Sequence, residues 1–530
     1  MSVFEQRLSF LQQNAQHNLL CGIRRGIEKE SLRIDANSQL AQTPHPQALG
    51  SALKHPLITT DFSEALLEFI TPVCESIDKA LGRLHDIHAY TDSVLRQQNE
   101  KIWPASMPCC LGADDSIPLA QYGSTHAARM KTIYRSGLGY RYGRSMQAIA
   151  GIHYNVSFPD DFWRALQEQS GDKASLQDFK TRRYFDLIRN FRRHLWLLLY
   201  LFGASPALCA SFVQGREHQL QTFNGRSDSL HLPHATSLRM GGLGYQSNAQ
   251  AKLMVCYNGL PSYIQTLKKG LITPYAPYEK IGVRDAEGNY RQLSTNLLQI
   301  ENEFYSTIRP KRVTDSGETP IRALHERGVE YIEVRCMDLD PYLPLGIDAS
   351  AAAFIEAFLL WCVLSDSPLT DEEEYVRLAR NQTAIVERGR DTALLLDDGN
   401  DLRSVAAWGL SLMDEMSSCA QLLDQAYGVD TYSRSVASQK EKLQSSELTT
   451  SARLLKDMRV QQKSFAQCIE DLAEQHANYF TEHSLSPMQY QYYADMADSS
   501  IKQQLELEQE GSKRTFEEYL AAYYAQYDAV

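Results

Sequence analysis

The sequence predicts an α+β fold with a strand-rich first part and a mostly helical second part. Four short stretches in the first part alternate apolar residues with carboxylates, histidine or arginine, as strands with one polar face do. From Ser350 onward the apolar residues recur at helical spacing, and the faces between them are rich in Gln, Glu and Lys. Because the connections between the strand-like stretches differ in length, the order favours α+β over a doubly wound parallel sheet.

The same spacing predicts the individual elements in order. Residues 2–18 predict an opening helix, and residues 76–98 predict a long amphipathic helix whose leucine and isoleucine residues lie near helical spacing. Residues 184–202 are apolar around most of the circumference toward their end, which indicates a helix whose second half is buried. The strand-like stretches are 24–30, 64–70, 152–156 and 331–335, with further ones at 252–257 and 293–304.

No feature of the chain marks a domain boundary. Its 530 residues would ordinarily predict three or four domains. Pro and Gly residues are scattered, however, and neither a low-complexity run nor an internal repeat is visible. We therefore expect a single unit over 1–530, with a strand-rich core over 20–349 and a helical region over 350–530 packed on that core.

Composition excludes several classes of protein. The formal net charge of −12 argues against a nucleic-acid partner, because Lys and Arg hold phosphate backbones. The ten cysteines form no CxxC pair and no zinc-ligand spacing, and the adjacent Cys109 and Cys110 are a poor disulfide candidate. The N-terminus lacks the pattern of a secretory signal, and the most apolar segments are too short to span a bilayer. We expect a cytoplasmic protein without a membrane partner.

The four alternating stretches predict one shared polar site. Successive side chains of a strand point to opposite faces, so Glu28 and Glu30 share a face about 7 Å apart while Ile27 packs behind them. Several carboxylates held together raise one another's pKa unless cations are present, and oxygen ligands suit Mg²⁺ or Mn²⁺. We expect two or three such ions, carrying phosphate. The candidate residues are Glu28, Glu30, Asp61, Glu68, His153, Asn155, Glu333 and Arg335.

If a nucleotide binds, its phosphates must be held by metals and arginines. The chain has no Gly-x-x-x-x-Gly-Lys-Ser/Thr loop, and residues 137–143 do not supply the Gly-x-Gly-x-x-Gly of a dinucleotide fold. Asn155 and Arg335 would contact phosphate oxygens, since the planar fork of Arg suits that role. The basic cluster 309–312 is a further candidate for phosphate contact.

Each of these residues also has a structural interpretation. One alternating stretch alone is more often the solvated face of a sheet, and a single His153 is more often structural than a ligand. Glu301 and Glu303 are as readily structural as functional. The ring-rich segment 134–142 indicates packing unless Tyr134 and Arg135 line the cavity.

Several longer motifs carry a resemblance to a known family. The motifs, in chain order, are Gly22–Arg33, Thr59–Pro72, Tyr142 to Asn155, Phe202–Pro206, Ala235–Arg239, Gln299–Glu303, Ile308–Arg312 and Gly328–Arg335. Through them the chain resembles the glutamate–cysteine ligases of proteobacteria from about residue 20 to 365, and the resemblance weakens beyond residue 369.

The resemblance implies a fold and a reaction. The family's catalytic core is an antiparallel sheet curved into a cradle, as in the glutamine synthetase-like superfamily. Its members use ATP to activate the γ-carboxylate of glutamate as an acyl phosphate, which the amine of cysteine attacks. The products are γ-glutamylcysteine, ADP and phosphate, and this is the first step of glutathione biosynthesis. The resemblance leads us to expect an enzyme of this kind that acts on small molecules as a monomer.

The resemblance also implies a role for each site residue. One metal falls to Glu28, His153 and Glu333, and the metals nearer the acyl group fall to Glu30, Asp61 and Glu68. Arg335 and Asn155 fall where the family contacts the moving phosphoryl group, and Arg135 is another phosphate ligand. Arg239 is placed to pair with a substrate carboxylate. The walls of the amino-acid pockets are Tyr134, Tyr245 and Phe62.

Three other functions remain open from the residues alone. The first is a ligase of the same superfamily that joins glutamate to another amine, because one methylene changes binding by only about 1 to 3 kcal/mol. The second is a metal-dependent kinase that uses the same ligands. The third is a helical scaffold, which only the region after Ser350 supports.

Overall fold

A large antiparallel sheet carries the alternating stretches of the sequence. The computed structural model describes residues 1–13, 16–243, 249–250 and 253–530. The strands in chain order are β1 Arg24–Ile34, β2 Ile58–Thr60, β3 Leu66–Ile70, β4 Lys101–Ile102, β5 Ile152–Ser157, β6 Ala207–Cys209, β7 Gln221–Phe223, β8 Arg226–His231, β9 Ile308–Lys311, β10 Tyr331–Met337, β11 Leu395–Asp397 and β12 Leu402–Ser404. Among the described residues, seven strands form the main sheet in the order β2-β3-β1-β5-β10-β9, with β4 paired to the end of β1.

The register of this sheet brings the polar residues side by side. Glu30 of β1 lies opposite Glu68 of β3, and Glu28 lies opposite His153 of β5. On the other side of β5, Asn155 lies opposite Glu333 of β10. A shift of one residue would turn any of these side chains to the other face. The alternation of the sequence therefore fixes a single polar face across four strands.

Helices make up most of the remaining chain. The second of them packs against β1 and β3 and the fifth packs against β9 and β10, and the α+β class is confirmed. The helices are α1 Val3–Gln12, α2 Ile77–Arg96, α3 His126–Tyr142, α4 Asp160–Ser170, α5 Leu176–Phe202, α6 Leu260–Ile272, α7 Ala276–Ile281, α8 Pro320–Arg327, α9 Ala349–Leu364, α10 Glu372–Arg388, α11 Val405–Tyr427, α12 Thr431–Gln444, α13 Thr450–Val460, α14 Phe465–Glu482, α15 Pro487–Glu510 and α16 Phe516–Ala525.

Helix α9 is the most deeply buried of these elements. It packs against α5, α11 and α12, and α5 in turn packs against β9 and β10. Every residue of α9 from Ala351 to Leu364 is buried, which agrees with a segment that is apolar all round. Glu356 is the charged residue in this apolar segment, and it is 1% exposed. Its carboxylate lies beside the guanidinium of Arg25 on β1, so the helix and the sheet share a buried ion pair.

Some predicted elements differ from the observed ones. The opening helix ends at Gln12 rather than at residue 18, and α5 begins at Leu176 rather than at 184. The strands predicted at 252–257 and 293–304 are wrong for the described residues 253–257 and 293–304, which form loops and a short 3₁₀ turn at Glu301–Glu303. The hairpin β11–β12 was not predicted.

The apolar character of individual helices does not reach that of a membrane span. No helix in the described part of the chain combines the length and apolar content that crossing a bilayer requires.

Candidate active site

Polar side chains from four strands meet on one face of the sheet. β1 supplies Glu28 and Glu30, β3 supplies Glu68, β5 supplies His153 and Asn155, and β10 supplies Glu333 and Arg335. Asp61 follows directly after β2 at the same edge. These are the strand positions whose neighbours, such as Ile27 and Val334, are buried on the opposite face. The period of two along each strand is therefore what gathers the site.

His153 lies at the centre of three carboxylates. Its Nδ1 is 3.0 Å from Oε2 of Glu28 and 3.7 Å from Oε1 of Glu333, and its Nε2 is 3.6 Å from Oε1 of Glu30. The imidazole is 4% exposed. Single ligand atoms of Glu28, Glu68 and His153 all lie within 4.8 Å of one another. This is a donor set of oxygen and nitrogen atoms close enough to share one cation.

Two buried oxygen atoms of this face have no hydrogen-bond partner in the part of the chain that the structure describes. They are Oε2 of Glu333 and Oδ1 of Asn155. The other polar atoms of the two side chains are engaged, since Arg335 Nη1 donates to Glu333 Oε1 at 3.0 Å and Asn155 Nδ2 donates to Glu28 Oε1 at 2.9 Å. A buried acceptor without a donor is unfavourable, so these atoms point to a cation or ligand that completes them.

Burial and crowding raise the pKa of two carboxyl groups. Burial raises the pKa of Glu68 well above its usual range, and the negative charges of Glu28, Asp61 and Glu30 add to the effect. The pKa of Glu30 is also raised by burial, although the positive charge of His153 opposes the change. Additional positive charge nearby would favour the ionised form of both groups.

Basic neighbours have the opposite effect at the other end of the face. Burial opposes ionisation of Glu333, but the charges of Arg335, Lys311 and His153 outweigh it and hold the pKa well below its usual range. Burial is likewise outweighed at Glu28, where the hydrogen bond with His153 lowers the pKa. The face thus contains carboxyl groups whose pKa is raised and carboxyl groups whose pKa is lowered. Basic side chains of the protein outweigh burial only at the second group.

A cavity of about 100 Å³ opens beside this face. Helix α3 contributes Tyr134 and Arg135, and Phe62 forms part of the wall next to Asp61. The Nε of Arg135 donates to the backbone oxygen of Asp61, which fixes this arginine at the rim. The full lining is Glu30, Asp61, Phe62, Tyr134, Arg135, Leu138, Met146, Gln147, Ile149, Arg239, Asn302, Tyr305, Arg309 and Arg335.

Arg239 reaches the cavity because a glycine leaves room for it. The residue lies in a short 3₁₀ turn, Leu238–Met240, and is 1% exposed. A Cβ atom at Gly151 would lie 1.8 Å from Nη2 of Arg239, so no side chain fits at this position while the arginine stays in place. The backbone N–H of Gly151 also donates to Oε2 of Glu30 at 2.8 Å. The carboxylate face and the arginine are therefore joined through one residue.

Comparisons with known proteins identify the family. A family model described as glutamate-cysteine ligase matches residues 8–385. A glutamate–cysteine ligase of Saccharophagus degradans is 50% identical over 510 residues, which is 96% of this chain and 96% of its own. The protein of the same name from Pseudomonas aeruginosa is 47% identical over 523 residues, 99% of this chain and 98% of its own. The chain belongs to the glutamate–cysteine ligase family.

Solved structures agree with membership of the glutamate–cysteine ligase family. A crystal structure of glutamate–cysteine ligase from Francisella tularensis in complex with AMP has a TM-score of 0.89 and 35% identity, and the match covers 96% of this chain and 99% of that one. A bifunctional glutathione synthetase from Pasteurella multocida has a TM-score of 0.69 at 23% identity, covering 92% of this chain and 57% of that longer one. The second likeness concerns the fold alone.

Most of the residues singled out by resemblance to glutamate–cysteine ligases lie together. Tyr134, Arg135, Phe62 and Arg239 line the same cavity as Glu30, Asp61 and Arg335. Tyr245 lies outside the described residues. The remaining predicted residues, Glu28, Glu68, His153, Asn155 and Glu333, belong to the adjoining strand face.

Glu301 and Glu303 have structural contacts rather than places in the cavity. Glu303 accepts hydrogen bonds from Arg141 and Tyr142, and Glu301 accepts from the backbone of Ile321 and from Tyr527. These carboxylates hold loops together, which also explains why the segment does not form the predicted strand.

Sequence reasoning missed several lining residues. Gln147 and Tyr305 face the cavity, and Gln147 Nε2 donates to the Tyr305 hydroxyl at 2.7 Å. Asn302 and Met146 were missed as well. All four lie in loops or 3₁₀ turns, where no periodic pattern shows which way a side chain points. Their one signal was proximity in sequence to the matched motifs.

Proposed function

We propose that this protein joins the γ-carboxylate of L-glutamate to the amine of L-cysteine in an ATP-dependent reaction through γ-glutamyl phosphate. The products are γ-glutamylcysteine, ADP and phosphate. The observation that carries the proposal is the face of four strand carboxylates and one histidine beside a cavity that four arginines line, in a chain of the glutamate–cysteine ligase family. Such a site can gather several negatively charged groups that would otherwise repel one another.

Divalent cations, Mg²⁺ or Mn²⁺, fit the donor set. Oε2 of Glu333 accepts no hydrogen bond from the described residues and offers a free acceptor, and the raised pKa of Glu68 calls for further positive charge beside it. When bound, the ions neutralise phosphate oxygens and the charge that develops during phosphoryl transfer. Two or three ions would be held, one by Glu28, His153 and Glu333 and the others by Glu30, Asp61 and Glu68.

Arg335 and Asn155 bind the oxygens of the phosphoryl group in this proposal. Arg335 already contacts Glu333 through Nη1, and it lies on the cavity wall, so its guanidinium joins the carboxylate face to the cavity. Arginine suits this position because its donors form a planar fork that stays charged at all relevant pH values. Arg135, at the opposite rim, is a second contact for phosphate.

Arg239 binds the substrate carboxylate that does not react. Its guanidinium is buried, its Nη1 is 3.6 Å from Oδ1 of Asp338, and its Nη2 donates to the backbone oxygen of Arg335. A charged group fixed in this way orients a carboxylate without reorganisation. Tyr134 and Phe62 form walls of the amino-acid pockets. Apolar walls also exclude water, which would hydrolyse an acyl phosphate.

The architecture supports a wider assignment. An antiparallel sheet with one polar and one buried face is what a catalytic cradle of the glutamine synthetase-like superfamily requires. We include in the proposal that residues 1–530 act as one catalytic unit, with the core at 20–349 and the helical region at 350–530 packed on it. We also include that the unit works as a monomer in the cytoplasm.

A panel of amine acceptors tests the proposal. Steady-state kcat/KM is measured for cysteine, 2-aminobutyrate, serine and alanine with ATP, Mg²⁺ and glutamate, and phosphate release is recorded beside peptide formation. We expect cysteine and 2-aminobutyrate to be the best acceptors, with one phosphate released per peptide. Preference for an unrelated amine would move the protein to another ligase activity. ADP formation without free phosphate would instead indicate a kinase.

A further inference from the structure

Two cysteines from distant parts of the chain lie in direct contact. The Sγ atoms of Cys110 and Cys209 are 2.9 Å apart, although the residues are separated by 99 positions. Cys110 follows the loop after β4, and Cys209 is the last residue of β6. Both are free thiols in this structure. Formation of a disulfide bond, about 2.05 Å long, would need the two sulfurs to approach by less than 1 Å.

The environment of Cys209 favours its reactive form. The hydrogen bonds that its Sγ accepts from Cys110 and Ser211 lower the pKa of the Cys209 thiol, and the same contact together with burial raises the pKa of the Cys110 thiol. The thiolate is the form that attacks disulfides. Burial also raises the pKa of the thiol of Cys109, beside Cys110 in sequence. Cys110, and not Cys109, is the cysteine whose sulfur contacts Cys209.

Access from solvent is unequal within the pair. Cys209 is 4% exposed, whereas Cys110 is partly exposed. A small oxidant in solution therefore meets Cys110 first, and Cys209 lies behind it in position to attack a sulfur that has become part of a mixed disulfide. In dithiol pairs of this kind, one cysteine first forms a mixed disulfide with the oxidant. The second cysteine then attacks that mixed disulfide and forms the intramolecular bond.

We propose that Cys110 and Cys209 are a redox-active dithiol that small-molecule disulfides, such as cystine, convert to an intramolecular disulfide. Cys110 attacks one sulfur of the small disulfide while its proton passes to the neighbouring Cys209 thiolate, and it forms a mixed disulfide, releasing one small thiolate that then takes the proton from Cys209. Cys209 then attacks Sγ of Cys110 and releases the second. The two cysteines lose two electrons and two protons, and the small disulfide gains them as two thiols.

Closure of this bond would join two segments that both support the cavity. In the loop that leads to Cys110, the backbone oxygen of Ser106 accepts from Ala150, next to Gly151. Shortly before Cys209, the backbone oxygen of Ser205 accepts from Leu238, next to Arg239. A covalent link restricts the opening of both segments, so we expect slower amide hydrogen exchange at 148–153 and 236–241 in the oxidised protein.

Peptide mapping tests the proposal directly. The full-length protein is incubated with cystine, and the remaining thiols are alkylated in denaturant. The protein is then digested with trypsin without reduction, and the peptide masses are measured by mass spectrometry. Trypsin places Cys109 and Cys110 on one peptide, 102–129, and Cys209 alone on another, 194–216. We expect a linked pair of these peptides that is two hydrogen masses lighter than their sum, reversed by dithiothreitol. Exchange at 148–153 and 236–241 is measured on the same samples.

Matched serine variants assign the bond. Cys110→Ser and Cys209→Ser should each abolish the linked peptides, whereas Cys109→Ser should leave them. Cys256→Ser, at a partly exposed cysteine elsewhere, is the control for nonspecific oxidation. Linked peptides that persist in Cys110→Ser and vanish in Cys109→Ser would overturn the assignment. So would a wild-type protein that remains unlinked, or one that carries only mixed disulfides with cystine, while retaining the native circular-dichroism spectrum.

Discussion

At the scale of single residues, Glu333 shows how the site keeps a buried charge. It is 1% exposed, yet Arg335, Lys311 and His153 hold its pKa well below the usual range. One of its oxygens accepts from Arg335 at 3.0 Å, while the other lies 4.0 Å from Nη1 of Arg309 and accepts no hydrogen bond from the described residues. This division is the arrangement expected of a carboxylate that binds a cation with one oxygen and an arginine with the other.

We expect Glu333→Gln to leave the protein folded and to lower kcat by more than tenfold. A neutral amide is a poor ligand for a hard cation, and a lost direct ligand should cost more than the roughly 1.4 kcal/mol that a tenfold change represents. Steady-state kinetics over a range of Mg²⁺ concentrations gives the measurement. Glu330→Gln, at a side chain that is 44% exposed on the same segment, is the control and should keep its activity. A Glu333→Gln enzyme with more than about a tenth of the original kcat would argue against the ligand role.

The residue pattern of the sequence predicted the strand residues of the site but not the loop residues. The period of two indicated Glu28, Glu30, His153 and Glu333, because strand geometry leaves only two directions for a side chain. Arg239 was indicated by family resemblance, since its place depends on the bare backbone of Gly151. Gln147 and Tyr305 have no such pattern.

At the scale of elements, a buried ion pair fastens α9 to the sheet. The carboxylate of Glu356 accepts from Nε and Nη2 of Arg25 at 2.7 and 2.8 Å. It also accepts from the hydroxyls of Tyr154 on β5 and Tyr432 on α12, each at 2.7 Å. Four donor atoms therefore converge on one carboxylate, and they connect β1, β5 and α12 to α9.

Glu356→Gln should therefore destabilise the protein by about 3 kcal/mol. The amide supplies donors where Arg25 and a tyrosine also donate, and a buried guanidinium left without its counter-charge is costly. Urea unfolding followed by circular dichroism measures the loss. Glu75→Gln, which removes the exposed partner of Arg24, should leave the midpoint unchanged. Equal midpoints for Glu356→Gln and the unmodified protein would show that the pair does not fasten the helix.

Elements with a long, regular pattern were predicted better than short ones. Helix α2 and the strands β1, β5 and β10 follow from their periodicity. The segment 293–304 alternates apolar and polar residues over part of its length, but its carboxylates are used to bind Arg141 and the backbone of Ile321 instead of facing solvent. Such tertiary contacts override a local strand preference and leave no local trace.

At the scale of the whole molecule, buried histidines make stability depend on pH. Burial lowers the pKa of His45 to about 3 and the pKa values of His55, His194 and His476 to about 4. In the unfolded chain each has a pKa of about 6.5. Between these values the unfolded state binds more protons than the folded state, so the free energy of unfolding falls as the pH falls. Well above pH 6.5 these groups bind protons in neither state, so they do not change the free energy of unfolding with pH.

The buried histidines lower the urea midpoint as the pH falls from 7 to 5, whereas carboxyl groups with a raised pKa, such as Glu68, act in the opposite direction, and we expect the histidine contribution to be smaller in His194→Leu. His194 packs edge-on against Trp361 and is one of the neutral buried rings. Its removal reduces by one the number of protons that the unfolded state can bind in excess of the folded state. This is worth about 1.4 kcal/mol per pH unit at most. Only the change with pH is compared, because the substitution also alters packing. The exposed His483→Leu variant is the control and should match the unmodified protein. A His194→Leu slope equal to that of the unmodified protein would contradict this account.

The central claim is that the carboxylate face and its arginines let ATP phosphorylate the γ-carboxylate of glutamate. Glutamate labelled with oxygen-18 in that carboxylate tests it most directly, with mass spectrometry of the phosphate released during ligation to cysteine. We predict that each phosphate carries one labelled oxygen, because the acyl phosphate bond breaks between carbon and oxygen when the amine attacks. Unlabelled phosphate formed at the same rate as γ-glutamylcysteine would contradict the claim.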